Sequence, residues 1–229
     1  MTPRQRAVLV ASLLAGLATA GGTYLVLRAN QRVLPLPAPR SNIVPIITPV
    51  IYPDVAGAAL SQLRRLSEDE HVTVVLHTLG GCMVSSVMIA DALRRFRSST
   101  AVVPYMALSG GTIIALSAQR IELGRNAALS AVDPMIGGVR ARHIGDDDPS
   151  LRDTAREYET AIRRYVHETL ALHLQSPEAV DRALTVFMGE EAPHEWPIRA
   201  PELAALGLDI GAADPGFADL VDAYSRRAG

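Results

Sequence analysis

Two apolar, strand-like runs in this chain end in glycine-rich turns, and a helix-like segment follows each turn. Residues 72–76 lead into Gly80-Gly81, and residues 101–103 lead into Ser109-Gly110-Gly111. Both runs are rich in β-branched residues and almost continuously apolar, which is typical of strands buried on both faces. Repeated strand–turn–helix units need helical crossovers between strands, so the sequence predicts a parallel α/β sheet.

The rest of the chain continues this alternation. Short strands are predicted at residues 120–123 and 128–132, and a polar, glycine-rich, mobile loop at residues 137–150. The spacing of apolar residues predicts helices over 55–66, 84–97, 109–118, about 151–174 and 177–188, and on both sides of the segment 208–210.

An uncharged stretch near the N-terminus predicts attachment to a membrane. Residues 7–27 carry no charge, and as a helix they would span roughly 30 Å, the thickness of a bilayer core. We therefore expect residues 1–32 to hold one transmembrane anchor, in a prokaryotic plasma membrane, with the cytoplasmic side favoured for the catalytic domain. Two alternatives stay open: a secretory signal peptide cleaved near Ala18-Thr19-Ala20, or a soluble helix.

Prolines mark the passage from this segment to the domain. They stand at positions 35, 37, 39, 45, 49 and 53, and they predict an extended linker over residues 33–50 followed by one domain over residues 51–229. Residues 46–47 and 50–52 are apolar and leave room for an edge strand despite Pro45.

The composition excludes several kinds of site. A net charge of −2 gives no sign of a nucleic-acid surface, and the single cysteine, Cys82, excludes an internal disulfide framework. All 22 basic residues are arginines, so a serine–lysine dyad is impossible and a serine nucleophile needs a histidine or carboxylate base. We interpret Cys82 as a small buried residue and the acidic runs at 146–148 and 190–191 as solvated charge, and we expect neither a metal nor a cofactor.

The paired turns suggest acyl-transfer chemistry. Ser109 supplies a hydroxyl at the start of a helix, and the N–H groups of Gly110 and Gly81 are free of side chains that would block a substrate carbonyl. Gly81 and Ser109 are 28 residues apart, one helix plus one strand, so neighbouring parallel strands would bring the two turns together. Each turn also has a simpler interpretation, Ser109 as a helix N-cap and Gly80-Gly81 as a tight connection.

Four segments in order resemble one known family. The segments LHTLGG, ALSGGTIIALSA, ALSAVDPMIGG and HEWPI are similar to the serine dehydrogenase proteinases, a membrane-associated branch of the Clp-protease/crotonase superfold, over residues 50–225. The resemblance implies Ser109 as nucleophile, Asp133 of the V-D-P motif and His194 of H-E-W-P-I in a Ser-Asp-His triad. By analogy with Clp protease, Gly81 and Gly110 form the oxyanion hole. Leu79 stands where the family usually has proline.

The chain has six histidines, and two are candidate bases when the residues are weighed directly. His194 lies in a proline-bounded turn that would hold its ring, and His77 ends a strand near the glycine turn. The others are less suitable: His71 lies at the opposite strand end, His143 in the polar loop, and His167 and His173 on a helix where they face solvent or a partner. Asp133 precedes Pro134 and either caps a turn or orients an imidazole.

These observations predict a membrane-anchored serine peptidase that acts on a peptide or protein substrate. Relatives of the superfold form rings, so we expect a homo-oligomer, with the helix at 151–174 as a candidate interface. Two alternatives remain: a non-catalytic membrane scaffold or partner-binding module of the same fold, and a crotonase-like acyl-thioester enzyme, for which no coenzyme-A pocket is evident.

Overall fold

A computed structural model describes residues 41–189 and 192–228. The strands are β1 (Ile43–Ile47), β2 (His71–His77), β3 (Ser98–Val103), β4 (Met106–Ala107), β5 (Arg120–Leu123), β6 (Ala128–Leu129), β7 (Met135–Ile136), β8 (Val139–Arg140), β9 (Ile198–Arg199) and β10 (Ile210–Ala212). The helices are α1 (Pro53–Leu63), α2 (Met83–Arg94), α3 (Gly110–Leu116), α4 (Pro149–Leu170), α5 (Pro177–Met188), α6 (Ala200–Ala205) and α7 (Gly216–Ala228).

The central sheet has five strands in the order β1-β2-β3-β5-β10. All four neighbouring pairs are parallel, which confirms the predicted parallel α/β class. A smaller sheet, β4-β6-β9, continues from the end of β3. Because parallel neighbours end on the same side, the segments that follow β2 and β3 meet at one edge of the sheet.

The composition of the strands explains their position in the core. Val72, Val74, Val75 and Leu76 of β2 are fully buried, since this strand has neighbours on both sides and helices over its faces. The amphipathic helices bury their apolar sides, for example α5, which packs against α4 and buries Val180, Ala183, Leu184, Phe187 and Met188. Such burial contributes about 1.5–3 kcal/mol for each large side chain.

The first strand begins inside the segment that was predicted as linker. β1 covers Ile43–Ile47 and pairs with β2, with Pro45 opposite Val75. The strand lies at the edge of the sheet, where a proline without an N–H leaves no second neighbour unpaired. The prolines around β1 predicted an extended linker that ends at residue 50. Instead, alternate residues of β1 are buried, so this part of the segment belongs to the domain.

The predicted mobile loop at residues 137–150 is also more regular than expected. Its start belongs to the hairpin β7–β8, whose two turn residues, Gly137 and Gly138, have φ values of 59° and 83°. Positive φ at both central positions is the geometry of a tight type I′ hairpin turn, which favours glycine. A 3-10 turn, Ala141–His143, follows and leads toward α4.

The predicted anchor, residues 1–32, lies outside the described residues. Among residues 41–189 and 192–228, no helix has the length and apolar character needed to cross a membrane. The described residues up to Asp222 form one compact unit, and the end of α7, from Ala223 onward, is grouped in a second.

Candidate active site

Ser109 occupies a strained turn between β4 and α3. Its backbone has φ 50° and ψ −115°, and it is the one non-glycine residue with positive φ in the described part of the chain. Although it stands at the N-cap position of α3, its side chain makes no capping hydrogen bond. The N-cap interpretation of the hydroxyl is therefore wrong, and strain of this kind, at about 1–3 kcal/mol, is typical of functional residues.

A buried hydrogen-bond chain holds this turn in place. The Ser109 N–H donates to Ser130 Oγ over 2.8 Å. The Ser130 N–H donates to Thr112 Oγ1 over 3.0 Å, and the Thr112 hydroxyl donates to the Ala107 carbonyl over 2.7 Å. The segment after β6 therefore fixes the backbone on both sides of Ser109.

The Gly80-Gly81 turn packs directly against the serine turn, as predicted. A Cβ atom at Gly80 would lie only 2.7 Å from Ser109 Cβ, so this contact requires glycine. The Leu108 N–H donates to the Thr78 carbonyl over 3.0 Å, and Ile51 N–H donates to the Gly80 carbonyl over 2.7 Å. These bonds extend the sheet pairing past the ends of β2 and β3 and bring the turns side by side.

Two backbone N–H groups beside Ser109 are available to a ligand. The N–H groups of Gly81 and Gly110 donate to no acceptor within the described residues. The Gly81 nitrogen lies 3.6 Å from the position a Cβ atom would take on Gly110, so the two donors are close together. Paired, unsatisfied N–H groups next to a hydroxyl have the composition of an oxyanion hole.

Ser109 and both glycines line a cleft of about 360 Å³. Most of its other lining residues are apolar, and the lining also includes Cys82 and Asp133: Val50, Tyr52, Gly81, Cys82, Met83, Ser109, Gly110, Ile113, Val132, Asp133, Pro134 and Met135. The cleft is therefore an apolar depression with a hydroxyl and two N–H donors in its wall, a composition common in ligand sites.

His194 and Asp133 form a buried pair. Nδ1 of His194 lies 3.0 Å from Oδ1 of Asp133, and the two side chains are 8% and 0% exposed. The bond at Nδ1 leaves Nε2 of His194 as the ring nitrogen available for a proton. Within the described residues no hydrogen bond joins Ser109 to His194; such contacts are often long in unliganded sites and tighten around a substrate.

Two arginines of the predicted mobile loop, Arg140 and Arg142, belong to this site. Arg140 Nε lies 2.9 Å from Asp133 Oδ2, and an Arg140 Nη2 N–H donates to the Ala192 carbonyl. Arg142 pairs with Glu159 of α4 over 2.9 Å. The alternation Val139-Arg140-Ala141-Arg142 after two glycines was the available signal for a hairpin strand, but the polar composition concealed it.

Charges around Asp133 favour its ionised form. Burial opposes ionisation, but the hydrogen bond and charge of His194, together with the charges of Arg140 and Arg142, outweigh it, and the pKa of Asp133 is lowered. A carboxylate that stays ionised can fix the imidazole tautomer and stabilise the imidazolium when His194 takes a proton.

The other histidines have different environments. His77 packs edge-on against the Tyr105 ring, with centroids 5.6 Å apart. Neither His77 nor His194 lines the cleft itself, but His194 is hydrogen-bonded to Asp133, which does. His71 Nδ1 contacts Ser98 Oγ at 2.7 Å, at the start of β2 as predicted. His173 was expected to face solvent or a partner, but its Nε2 contacts the Leu116 carbonyl at 2.7 Å because α4 packs on α3. His143 and His167 are exposed.

Cys82 and the acidic residues are, by residue type, possible metal ligands. Cys82, expected to be a small buried residue, is partly buried and lines the cleft. Within residues 41–189 and 192–228, no three or more histidine, cysteine, aspartate or glutamate side chains are grouped as a metal site would need. Residues 190 and 191 lie outside the described residues.

The parallel sheet with helical crossovers, and the serine turn set against a glycine turn, fit the Clp-protease-like class of α/β proteins. A sequence model of the ClpP-like SDH-type serine proteinases matches residues 43–226, and the chain belongs to this family. Two proteins of Methanocaldococcus jannaschii, both named as uncharacterized, are 30% identical over 66% of this chain and 29% identical over 68% of it. The matched segments cover 57% of each relative's length.

Proposed function

We propose that the protein is a serine peptidase in which Ser109, Asp133 and His194 form the catalytic triad. Ser109 is the nucleophile, His194 the general base and Asp133 the group that orients it. The N–H groups of Gly81 and Gly110 form the oxyanion hole. Membership of a serine proteinase family supports the reaction class, and the site geometry supports these roles.

The strained backbone of Ser109 is the observation that carries the proposal most directly. A serine with φ 50° at a strand-to-helix turn resembles the nucleophile elbow, in which strain exposes the hydroxyl at the mouth of a site. The strain is maintained by the packing of Gly80 against Ser109 Cβ and by the bond from Ser109 N–H to Ser130. A purely structural turn gains nothing from a serine at this position, since glycine would relieve the strain.

The proposed reaction follows from these positions. Ser109 Oγ attacks the peptide carbonyl carbon, and its proton passes to Nε2 of His194. The carbonyl oxygen becomes an oxyanion that accepts hydrogen bonds from Gly81 and Gly110. The protonated His194 then gives the proton to the departing amine, the peptide bond breaks, and an ester remains on Ser109. Water, activated by His194, releases the acid and restores the serine.

A fluorophosphonate probe and fluorogenic casein test this proposal together. The probe forms a bond from phosphorus to Ser109 Oγ and releases fluoride, so it reports the activated serine without knowledge of the natural substrate. We expect both signals to vanish in Ser109→Ala and to fall about 10³-fold or more in His194→Ala. Labelling that persists at full strength in Ser109→Ala would overturn the role of Ser109. A wild-type chain that is neither labelled nor cleaves casein would favour the non-catalytic scaffold.

Membrane attachment and self-assembly complete the proposal. Residues 7–27 would anchor the chain, as expected from the sequence, in a prokaryotic plasma membrane with the domain on the cytoplasmic side. Alkaline carbonate washing of membranes tests this, since an anchored chain stays in the pellet and a peripheral one is released. Analytical ultracentrifugation of the purified chain in detergent tests for a homo-oligomer, and a monomer at micromolar concentration would contradict it.

A further inference from the structure

We propose that Arg140 is a positioning residue that holds the Asp133 carboxylate and the chain segment leading to His194 in one fixed geometry. The inference rests on the proposed triad and adds a fourth residue to it. Arg140 Nε lies 2.9 Å from Asp133 Oδ2, while its Nη2 N–H donates to the Ala192 carbonyl, two residues before His194. The Arg140 side chain is only 10% exposed, so solvent screens these contacts little.

The hairpin β7–β8 determines where the Arg140 side chain lies. Met135 pairs with Arg140, and the Ala141 N–H donates to the Pro134 carbonyl over 2.8 Å. The Gly137-Gly138 turn fixes this register, since the loop length and turn type of a hairpin determine which residues pair. The short hairpin therefore places Arg140 beside Asp133 in a fixed strand register.

Arginine suits this position because two different oxygen atoms are contacted at once. Its rigid, charged guanidinium pairs through Nε with the Asp133 carboxylate by charge, while an Nη2 N–H donates to the Ala192 carbonyl. A lysine ammonium would keep the positive charge but would not hold both acceptors in a set orientation. The orientation of Asp133 toward His194 therefore depends on the shape of Arg140 as well as on its charge.

Charge compensation gives Arg140 a second effect on the pair. Asp133 has a fully buried side chain, and a buried carboxylate without a cation is costly. The charged groups around it are His194 when protonated, Arg140 and Arg142. Arg142 is already paired with Glu159, so Arg140 supplies most of the permanent compensation.

Loss of Arg140 should change both the pH dependence and the plateau rate of labelling. Loss of a residue with only a structural role would not be expected to change both. Without the positive charge, the Asp133–His194 pair takes up its proton at higher pH, so the acidic limb of the activity profile moves to higher pH. Without the fixed orientation, the pH-independent rate of Ser109 modification falls about 10- to 100-fold, the effect expected when the ion pair with Asp133 and the charge-assisted hydrogen bond to the Ala192 carbonyl are lost together.

The rate constant of fluorophosphonate labelling, measured from pH 5 to pH 9, tests the inference. Arg140→Ala should label 10- to 100-fold more slowly at its plateau and show the upward shift of the acidic limb. Arg140→Lys should keep the wild-type midpoint and label at an intermediate rate. Arg97→Ala is the matched control, because Arg97 also pairs with a carboxylate, Asp69, but is 82% exposed. Equal midpoints and plateau rates for Arg140→Ala and wild type would overturn the proposal.

A second measurement separates this inference from the proposed activity. In ¹⁵N-histidine spectra, the His194 signals are assigned by their loss in His194→Gln, and the tautomer that they report is compared in a Ser109→Ala background with and without Arg140→Ala. A smaller fraction of the Nδ1–H tautomer on loss of Arg140 supports the positioning role even if the chain labels no probe. An unchanged tautomer fraction, with wild type that is labelled and active, would overturn the role of Arg140 and leave the proposed activity standing. The same spectra report whether each variant is folded.

Discussion

Asp133 Oδ1 accepts a hydrogen bond of 3.0 Å from His194 Nδ1 across 61 residues of sequence. The two residues come from the segment after β6 and the turn before β9, and these strands pair antiparallel. The pairing of β6 with β9 therefore brings the acid and the base together, independently of the larger sheet that carries the two glycine turns.

Asp133→Asn should lower both activity and stability, the latter in a pH-dependent way. The pKa of Asp133 is below its reference value of 3.8, so its ionised form stabilises the folded chain above about pH 4, and this contribution is lost as the pH falls further. At pH 7 the variant leaves Arg140 buried without its anion, and we expect a loss of about 3–5 kcal/mol.

Urea unfolding at pH 7 and at pH 3 measures this effect. The difference between Asp133→Asn and wild type should narrow at pH 3, because below the reference pKa of 3.8 the unfolded wild-type chain binds a proton on this carboxyl more readily than the folded chain does. Labelling by the fluorophosphonate should fall about 10⁴-fold at pH 7, since asparagine favours the wrong imidazole tautomer. A stability difference that stays constant over this pH range would contradict the linkage.

Ser109→Gly should separate stability from activity. Glycine adopts φ 50° without strain, so the variant should gain about 1 kcal/mol in the free energy of unfolding while losing all labelling. Ser109→Ala is the control, because alanine loses the hydroxyl but keeps the strain, and its stability should stay close to that of wild type. Chemical denaturation of the two variants distinguishes them, and equal stabilities would show that the Ser109 backbone is not strained.

The alternation of strands and helices and the two glycine turns could be predicted from sequence, because their signals are local. A run such as residues 72–76 is apolar for burial on both faces, and Gly80-Gly81 marks the turn that ends it. The closeness of Asp133 and His194 was expected only from resemblance to a family, since no periodicity links residues so far apart. Arg140 was missed because its partner, Asp133, lies outside the polar segment that contains it.

Edge position explains the other difference between sequence and structure. Pro45 in a central strand would break a ladder bond, so a proline-rich segment suggests a linker. At the edge of the sheet that penalty is absent, and β1 forms through Pro45 with alternate residues buried. The position of a strand within a sheet is a property of the whole fold, which the local sequence does not contain.

Gly80→Ala should be strongly disruptive and Gly57→Ala stabilising. At Gly80 the new Cβ atom would lie 2.7 Å from Ser109 Cβ and 2.8 Å from the Leu108 carbonyl oxygen, on a backbone with φ 104°. Overpacking and backbone strain together should cost more than about 2 kcal/mol and displace the nucleophile. Gly57 lies in α1 with open space around it, so alanine there should add about 0.5–1 kcal/mol.

Thermal unfolding and probe labelling of both variants test this contrast. The expected pattern is a lower melting temperature and lost labelling for Gly80→Ala, with a higher melting temperature and full labelling for Gly57→Ala. Normal labelling by a folded Gly80→Ala would show that the glycine turn does not position Ser109.

His77→Phe should leave labelling intact, in contrast to His194→Ala. Burial lowers the pKa of His77, and the nearby Asp222 carboxylate only partly opposes this. The folded chain therefore favours neutral His77, and wild-type stability should decline as the pH falls below about 6.5, where the unfolded chain binds the proton more readily. Phenylalanine keeps the ring contact with Tyr105 and should reduce this decline, as measured by urea unfolding at pH 7 and pH 5. Lost labelling in a stable His77→Phe would transfer the base role to His77.

Alkylation of Cys82 should block the cleft. Burial raises the pKa of the thiol, but hydrogen bonds from Ser85 and from the backbone N–H groups of Ser85 and Val84 outweigh it, so the pKa falls below its usual value. The thiolate is the reactive form, and a maleimide adduct at Cys82 would occupy part of a cleft of about 360 Å³ that also contains Ser109.

Since Cys82 is the chain's one cysteine, N-ethylmaleimide should abolish fluorophosphonate labelling of wild type. The labelling of Cys82→Ala should be unaffected by the same treatment. Mass spectrometry shows whether wild type is fully alkylated. If the fully alkylated protein still reacts with the fluorophosphonate at its original rate, the Cys82 adduct does not block access to Ser109.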